Sequence, residues 1–347
     1  MQHARLSDNP QAAIEAAFAG DVAGVAVATS GSTGQPRDVL IDTAAIVASA
    51  AATTERLGGP GSWLLAIPPE RIGGALVIAR AALDHTSLAR LPGGTFTPEA
   101  FAAAARELAG GRRYTSLVPT QVARLARTAE GRAALASFDA VLVGGAALPP
   151  LGLEANLVST YGSTETCGGC VYDGVPLAGV SVNVIDGRVR ITGPTLASGY
   201  ADGVNGAFVT EGGTRWFVTP DAGAWDGARL NIEGRADDVI ITGGLKAHPS
   251  RVEAALESLP YVAQAAVAGV ADPEWGHKVT AWVVPATALD STTASGIPSL
   301  SEVRADLATL LAPHELPRSV NVVDALPRTA GGKIDRRAMR TLAAGEE

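Results

Sequence analysis

Lysine is almost missing from this chain of 347 residues: of its 27 basic residues only Lys246, Lys278 and Lys333 are lysines. An Ala-, Gly- and Arg-rich composition of this kind fits a GC-rich coding bias, yet a lysine kept inside a glycine-rich loop still asks for a role. Positive charge is also short overall, with a formal net charge of -8. That disfavours nucleic acid as a bulk partner, because no basic face is available to displace counterions from a phosphate backbone. No uninterrupted apolar run reaches the roughly 18 residues that a membrane span needs. The opening MQHARLSDNPQAAIEAA is too polar for a signal peptide, so a cytoplasmic location without membrane contact is expected. Cysteine is limited to Cys167 and Cys170, a lone C-x-x-C with no second pair and no histidine at zinc-ligand spacing. Two small buried residues are the favoured reading, ahead of a metal or redox site.

What the chain does have is apolar content, 47% against 18% charged, enough for one large core and one smaller one. Short apolar runs at 22–29, 63–67, 117–118, 140–143 and 157–159 alternate with Ala-rich stretches at 97–108 and 121–127, whose spacing fits amphipathic helices. This predicts a large, layered α/β N-terminal domain. Between 174 and 225 the pattern changes to short β-type runs punctuated by Gly, Asn and Asp, which predicts a small β subdomain. After Arg235 a smaller α+β unit begins, with strands near 239–242, 263–270, 279–284 and 319–323 and helices at 249–259 and 300–311. The expected division is 1–234 and 235–347.

Four polar segments carry the chemistry. Thr29-Ser30-Gly31-Ser32-Thr33-Gly34-Gln35-Pro36-Arg37 follows a buried-type strand. Its glycines allow backbone N–H groups to converge, its hydroxyls add donors and Arg37 adds charge, which suits phosphate. It lacks the Walker spacing and lysine, and a generic polar surface turn is the lesser alternative for the segment taken alone. Ser159-Thr160-Tyr161-Gly162-Ser163-Thr164-Glu165-Thr166 combines an aromatic plane, a glycine, hydroxyls and a carboxylate that could hold a purine, a phosphate and magnesium; a polar strand end would look similar. In the third, Asp221 could accept from a ribose diol and Arg235, in Gly234 to Gly244, could neutralise phosphate, though a cap and a surface arginine are the ordinary readings. In the fourth, Thr329-Ala330-Gly331-Gly332-Lys333-Ile334-Asp335-Arg336 sets an ammonium on a glycine hinge.

In this order and spacing the four segments resemble the signature motifs of the adenylate-forming superfamily of acyl- and aryl-CoA ligases, peptide-synthetase adenylation domains and luciferases. The resemblance covers roughly residues 20–345. Within the superfamily the segments RLGGPG from Arg56, GGRRYTSLV from Gly110 and TYGSTETCGGCVYDG from Thr160 are most similar to the compact actinobacterial o-succinylbenzoate–CoA ligases of menaquinone biosynthesis.

The resemblance implies an AMP-forming acid–CoA ligase that uses ATP, Mg²⁺ and coenzyme A, with o-succinylbenzoate as the acid; it leaves a homodimer open. Thr29, Ser30, Gly31, Ser32, Thr33, Gly34 and Arg37 would wrap the departing phosphates. Gly144, Gly145 and Ala146 would lie along adenine opposite Tyr161 and Gly162, Thr164 would touch the α-phosphate, Glu165 would hold magnesium, and Asp221 and Arg235 would bind ribose and phosphate. Lys333 would be the catalytic cation, Asp237 the hinge of a mobile C-terminal domain, and Gly243 and Gly244 the lining of the CoA path. The acid pocket would draw on Ser116, Val118, Pro119, Ser163, Gly168, Gly169 and Arg71. Three positions depart from the family: Arg37 replaces a lysine, Pro220 replaces a glycine before Asp221, and Glu70-Arg71 replaces an aromatic and a histidine. Arg71 could pair with a second carboxylate of the acid, bind Glu70 at the surface, or be a non-productive change. Another aryl or acyl acid, and a nucleotide-binding relative without turnover, are the competing readings.

Overall fold

A computed structural model of the chain describes residues 1–29, 37–108, 110–146, 152–286, 297–328 and 334–344. The chain forms two compact units, the first comprising Met1–Ile185, Val189–Thr219 and Trp225–Asn231, the second Asp186–Arg188, Pro220–Ala224 and Ile232–Glu347.

The first unit is built on a seven-stranded sheet, in the order Val175–Pro176, Gly168–Tyr172, Leu157–Ser163, Ala140–Gly144, Arg113–Leu117, Ser62–Leu65, Leu88–Arg90. The last five of these run parallel and the first two are antiparallel additions. A parallel strand is covered on both faces, which is why Ala140–Gly144 and Ser62–Leu65 read as near-continuous apolar runs and are buried along almost their whole length. One face packs Phe101, Val122, Leu125, Leu135 and Phe138, from the helical region 98–138, against Leu64, Leu117, Val141 and Val143. Helices Thr43–Arg56 and Ile72–Leu83 also belong to this unit, and the Trp63 and Tyr114 rings meet at 5.2 Å between centroids.

Helix starts follow local chemistry. Asn9 caps Pro10–Ala19 by accepting from the Ala12 N–H, and Thr97 caps Pro98–Arg106 by accepting from the Ala100 N–H, each with proline in the first turn. A second sheet joins His3–Arg5, Gly24–Thr29, Arg37–Asp42 and Gly199–Tyr200. The predicted β region contains the hairpin-rich strands Ser181–Ile185, Arg188–Thr192, Phe208–Glu211, Thr214–Trp225 and Leu230–Arg235, and the division between the two units runs through it.

The second unit centres on the long antiparallel pair Val262–Asp272 and Gly276–Pro285. Ile240–Thr242 and Ser319–Val322 each pair with Gly276–Pro285, and Leu245–Ala247 pairs with Ile240–Thr242. One apolar cluster gathers Val252 and Leu256 of helix Pro249–Glu257 and Val303 and Leu307 of helix Leu300–Leu307; a separate one gathers Met339 of helix Arg336–Ala344 with Ala266, Ala268, Trp282 and Leu326. Helix Arg336–Ala344 and strand Leu245–Ala247 are not among the elements expected from the sequence. The strand is only three residues long, and the nine-residue helix, RRAMRTLAA, is polar on average although Met339, Leu342 and Ala343 stand at helical spacing.

Candidate active site

The carboxyl ends of the parallel strands collect the polar segments of the first unit, the usual place for ligands in an open α/β sheet. Leu117 pairs with Val143 and Gly144 with Thr160, so Val118-Pro119 and Gly145-Ala146 follow the ends of their strands beside Tyr161 to Ser163, the last residues of the next strand. Gly145 has φ +87°, and a Cβ there would stand 3.9 Å from Val118 Cγ1. Gln121 braces this edge: its side-chain oxygen accepts from the Val118 N–H at 3.0 Å and its amide donates to the Ala66 carbonyl at 2.8 Å. Ser116 is buried just behind.

The next turn is set by glycine. Gly162 pairs with Gly169 and Ser163 with Gly168, after a register shift at Tyr161. A Cβ on Gly162 would lie 2.0 Å from the Gly168 carbonyl oxygen and 2.9 Å from Gly169 Cα, backbone that no side-chain rotation can move. Gly168, at φ +78°, would place a Cβ 2.5 Å from Leu76 Cδ1, which brings helix Ile72–Leu83 against this turn. Gly162→Ala is expected to destabilise the protein by about 1–3 kcal/mol through overpacking and to weaken nucleotide binding with it. Chemical denaturation and a nucleotide titration of the variant test this, and wild-type values in both would reject it.

Thr164 and Glu165 sit in the 3₁₀ turn Thr164–Thr166, where Thr166 Oγ1 accepts from the Ser163 N–H at 2.8 Å. Ser163 Oγ is buried and has no hydrogen-bond partner among the described residues. Cys167 and Cys170 are fully buried and free, and burial pushes both thiols up to about 12. They are neutral packing groups at physiological pH.

Glu165 belongs to a polar cluster that motif reading missed. Tyr200 Oη donates to Glu165 Oε1 at 2.9 Å, and the Arg37 guanidinium lies 3.6 Å above the Tyr200 ring. Arg37 in turn donates to both carboxylate oxygens of Asp202, at 2.9 and 2.8 Å, and to the Val204 carbonyl at 2.6 Å. The Asp202 bond raises the Arg37 pKa and lowers that of Asp202, while burial, with Glu165 adding to it, pushes the Tyr200 hydroxyl above the usual phenol range. Tyr200 therefore stays a donor. The only sequence signal was a Gly-Tyr pair three residues before Gly203, which carries no chemistry by itself.

Thr29 and Arg37 form the last pair of two antiparallel strands, with Thr29 Oγ1 donating to the Arg37 carbonyl at 3.1 Å, and so bracket the phosphate-type loop. Ser30, Gly31, Ser32, Thr33 and Gly34 lie outside the described residues, as does Lys333. Arg71 precedes helix Ile72–Leu83 and donates from Nη1 to the Ala28 carbonyl at 3.2 Å. Its pairing with Glu70, one of the three roles left open above, does not occur: the carbonyl at the end of the neighbouring strand takes the guanidinium instead.

In the second unit, Asp221 and Arg235 form an ion pair at 4.0 Å. Asp237 is held by Arg188 at 3.3 Å and lies 4.0 Å from Arg235. Gly243 and Gly244, at φ +56° and +80°, make the two-residue turn between Ile240–Thr242 and Leu245–Ala247 that favours glycine at both positions. Arg328 and Ile334 form an antiparallel bridge, and the Asp335 N–H donates to the Pro327 carbonyl at 2.9 Å.

Residues 8–201 match the model of the AMP-binding enzyme family and residues 251–333 that of the AMP-binding enzyme C-terminal domain. The chain is 43% identical over 337 residues to the probable 2-succinylbenzoate–CoA ligase of Mycobacterium tuberculosis, covering 94% of this chain and 86% of that one. It is 31% identical over 333 residues to the 2-succinylbenzoate–CoA ligase of Salmonella typhimurium, covering 90% and 67%. Among solved structures it resembles the o-succinylbenzoate CoA synthetase of Bacillus subtilis in complex with its acyl-adenylate intermediate, with TM-score 0.77 and 25% identity over 92% of this chain and 69% of that one. It also resembles an amide bond synthetase of Marinactinospora thermotolerans, with TM-score 0.78 and 29% identity over 92% and 68%. The chain has the fold of the adenylate-forming enzymes and belongs to the AMP-binding enzyme family.

Proposed function

We propose that the protein is an AMP-forming o-succinylbenzoate–CoA ligase of menaquinone biosynthesis. The observation that supports this best is the 43% identity to the mycobacterial ligase over nearly the whole chain, joined to a cluster of ligand-type groups at the strand ends. In the first half-reaction the ionised carboxylate of the acid attacks the α-phosphorus of ATP and pyrophosphate leaves. In the second the CoA thiol loses its proton to solvent, its sulfur attacks the acyl carbonyl, and the bond to the phosphate oxygen breaks so that AMP leaves. No general base is needed for the first, since a carboxylate is already ionised at neutral pH.

The residues divide by role. Thr29, the 30–34 loop and Arg37 receive the β- and γ-phosphates, Gly144 to Ala146 and Tyr161 flank adenine, Thr164 meets the α-phosphate, and Asp221 and Arg235 serve ribose and phosphate. Glu165 Oε1 is taken by Tyr200, which leaves Oε2 without a bond among the described residues. A single carboxylate suits Mg²⁺, which is held by one or two carboxylates and the substrate phosphates. Bound there, it neutralises phosphate charge. Arg71 is the candidate for the second carboxylate of the acid, Lys333 stabilises the charge that grows in adenylation, and Asp237 is the hinge between domains 1–234 and 235–347. Among the described residues no helix is long and apolar enough to cross a membrane; a cytoplasmic enzyme acting on small molecules is the reading that goes with the pathway.

The test is mass-spectrometric detection of acyl-CoA and AMP from purified protein with ATP, Mg²⁺, CoA and o-succinylbenzoate, beside benzoate and succinate. Thioester from o-succinylbenzoate alone is the expected result. Use of another acid would keep the family chemistry and remove the pathway, and absence of even the adenylate would favour a nucleotide-binding relative without turnover.

A further inference from the structure

The carboxylate proposed for the metal does not stand alone. Both its main chain and its side chain are held by one short segment: the Ala197 N–H donates to the Glu165 carbonyl at 2.9 Å, and Tyr200 Oη donates to Glu165 Oε1 at 2.9 Å. Tyr200 is itself over-determined. Gly199-Tyr200 pairs with Leu40 and Val39 as a strand, and the Tyr200 N–H donates to Asn205 Oδ1 at 2.8 Å. The Tyr200 ring has the Arg37 guanidinium 3.6 Å above it and the Phe208 ring edge-on at 5.8 Å. The two-point clamp of Asp202 on Arg37 fixes the guanidinium in turn. A ring only 8% exposed and locked on several sides presents its hydroxyl at one place.

We infer that Tyr200 is a positioning residue for Glu165: its hydroxyl occupies Oε1 and turns Oε2 toward the metal–phosphate group, while the Arg37–Asp202 pair holds the Tyr200 ring. The inference rests on the ligase reading only in that Glu165 meets a metal-bound nucleotide. Hydrogen bonds that orient a metal-ligating side chain commonly contribute about 10- to 100-fold in metal affinity. Arg37 accordingly has two duties, because its Nη1 makes no bond among the described residues and is left for a phosphate oxygen.

The experiment is calorimetric titration of ATP into the full chain, with Mg²⁺ and with EDTA, in the absence of acid and CoA. Tyr200→Phe retains the ring and removes only the hydroxyl. The expected result is a loss of about 10-fold in the Mg²⁺-dependent gain in ATP affinity, with the affinity in EDTA and the melting temperature unchanged. Glu165→Gln provides the second arm: if Tyr200 acts through Glu165, adding Tyr200→Phe to Glu165→Gln produces no further loss. An undiminished Mg²⁺-dependent gain in Tyr200→Phe, or additive losses in the double variant, would overturn the inference. So would a drop in melting temperature that carries the EDTA affinity down with it, since that is the mark of a merely structural residue. Wild-type protein that gains nothing from Mg²⁺ would instead overturn the metal assignment of Glu165, and this positioning role with it.

Discussion

Lys333→Ala is expected to slow acyl-adenylate formation by about 10²- to 10³-fold, the typical cost of removing one preorganised donor from a developing charge. Thioester formation from supplied acyl-adenylate and CoA should remain close to wild type. The asymmetry follows from where charge grows. In adenylation negative charge builds on the bridging phosphate oxygens, and an ammonium placed there helps the transition state more than the ground state. In the second half-reaction charge grows on the carbonyl oxygen and on the departing AMP phosphate, but the proposed movement of the C-terminal domain about Asp237 has by then withdrawn Lys333 from the site. Arginine is abundant in the chain, so Lys333→Arg is a useful companion: a bulky planar guanidinium does not reproduce a compact ammonium on a flexible stem. Single-turnover assays of the two half-reactions decide the matter, and equal loss in both would remove Lys333 from its proposed role.

Arg336→Ala is expected to cost about 1.5–3 kcal/mol of stability in the second unit, the range for losing charge-assisted hydrogen bonds from a half-buried pair. Arg336 Nη2 donates to both oxygens of Glu253 at 2.6 and 2.8 Å, its Nε to the Val267 carbonyl at 3.1 Å, and its Nη1 lies 3.4 Å from Asp238. Glu253 also accepts from the Val267 N–H at 2.8 Å, and its side chain is only 13% exposed. Burial raises the Glu253 pKa even with Arg336 beside it. A carboxylate with a raised native pKa contributes its full stability below the unfolded value and loses it as pH rises through the native one. Removing Arg336 raises that native pKa further, so the stability deficit of the variant should be large at neutral pH and should shrink toward pH 4, where Glu253 is protonated in both states. Denaturant unfolding at the two pH values checks the sign, and a deficit that is constant or grows on acidification would show that Glu253 is not the group left stranded. Because Arg336 stands three residues after Lys333 and reaches Asp238 beside the proposed hinge, adenylation should fall in the same variant.

Much of the architecture was legible because burial on both faces leaves a plain record. The apolar runs at 140–143 and 63–67 became parallel strands, Thr97-Pro98 started a helix at the predicted place, and the α+β pattern after Arg235 emerged with its helices shortened by only a few residues at their ends. What stayed hidden were short elements, such as the three-residue strand Leu245–Ala247 and the nine-residue helix Arg336–Ala344, whose places are decided by a neighbouring strand, and by Glu253 together with the packing of Met339.

The candidate site divides in the same way. Local sequence alone supplied only candidate groups, the hydroxyl- and glycine-rich loop after a strand, Tyr161 through Glu165, Asp221 and Lys333, each with an ordinary surface reading until their order and spacing were seen to resemble the family's motifs. It also specified Gly162 as glycine without revealing why. Tertiary structure decided which groups stand together: Gly162 against the Gly168 carbonyl, Arg71 on the Ala28 carbonyl instead of Glu70, and Arg37 stacked on Tyr200 and clamped by Asp202, 165 residues away along the chain. Arg37 meets Tyr200 and Asp202 because Arg37–Asp42 pairs with Gly199–Tyr200, and Arg71 reaches Ala28 from the start of a helix. A hydrogen bond depends on positions in space that spacing along the chain does not encode.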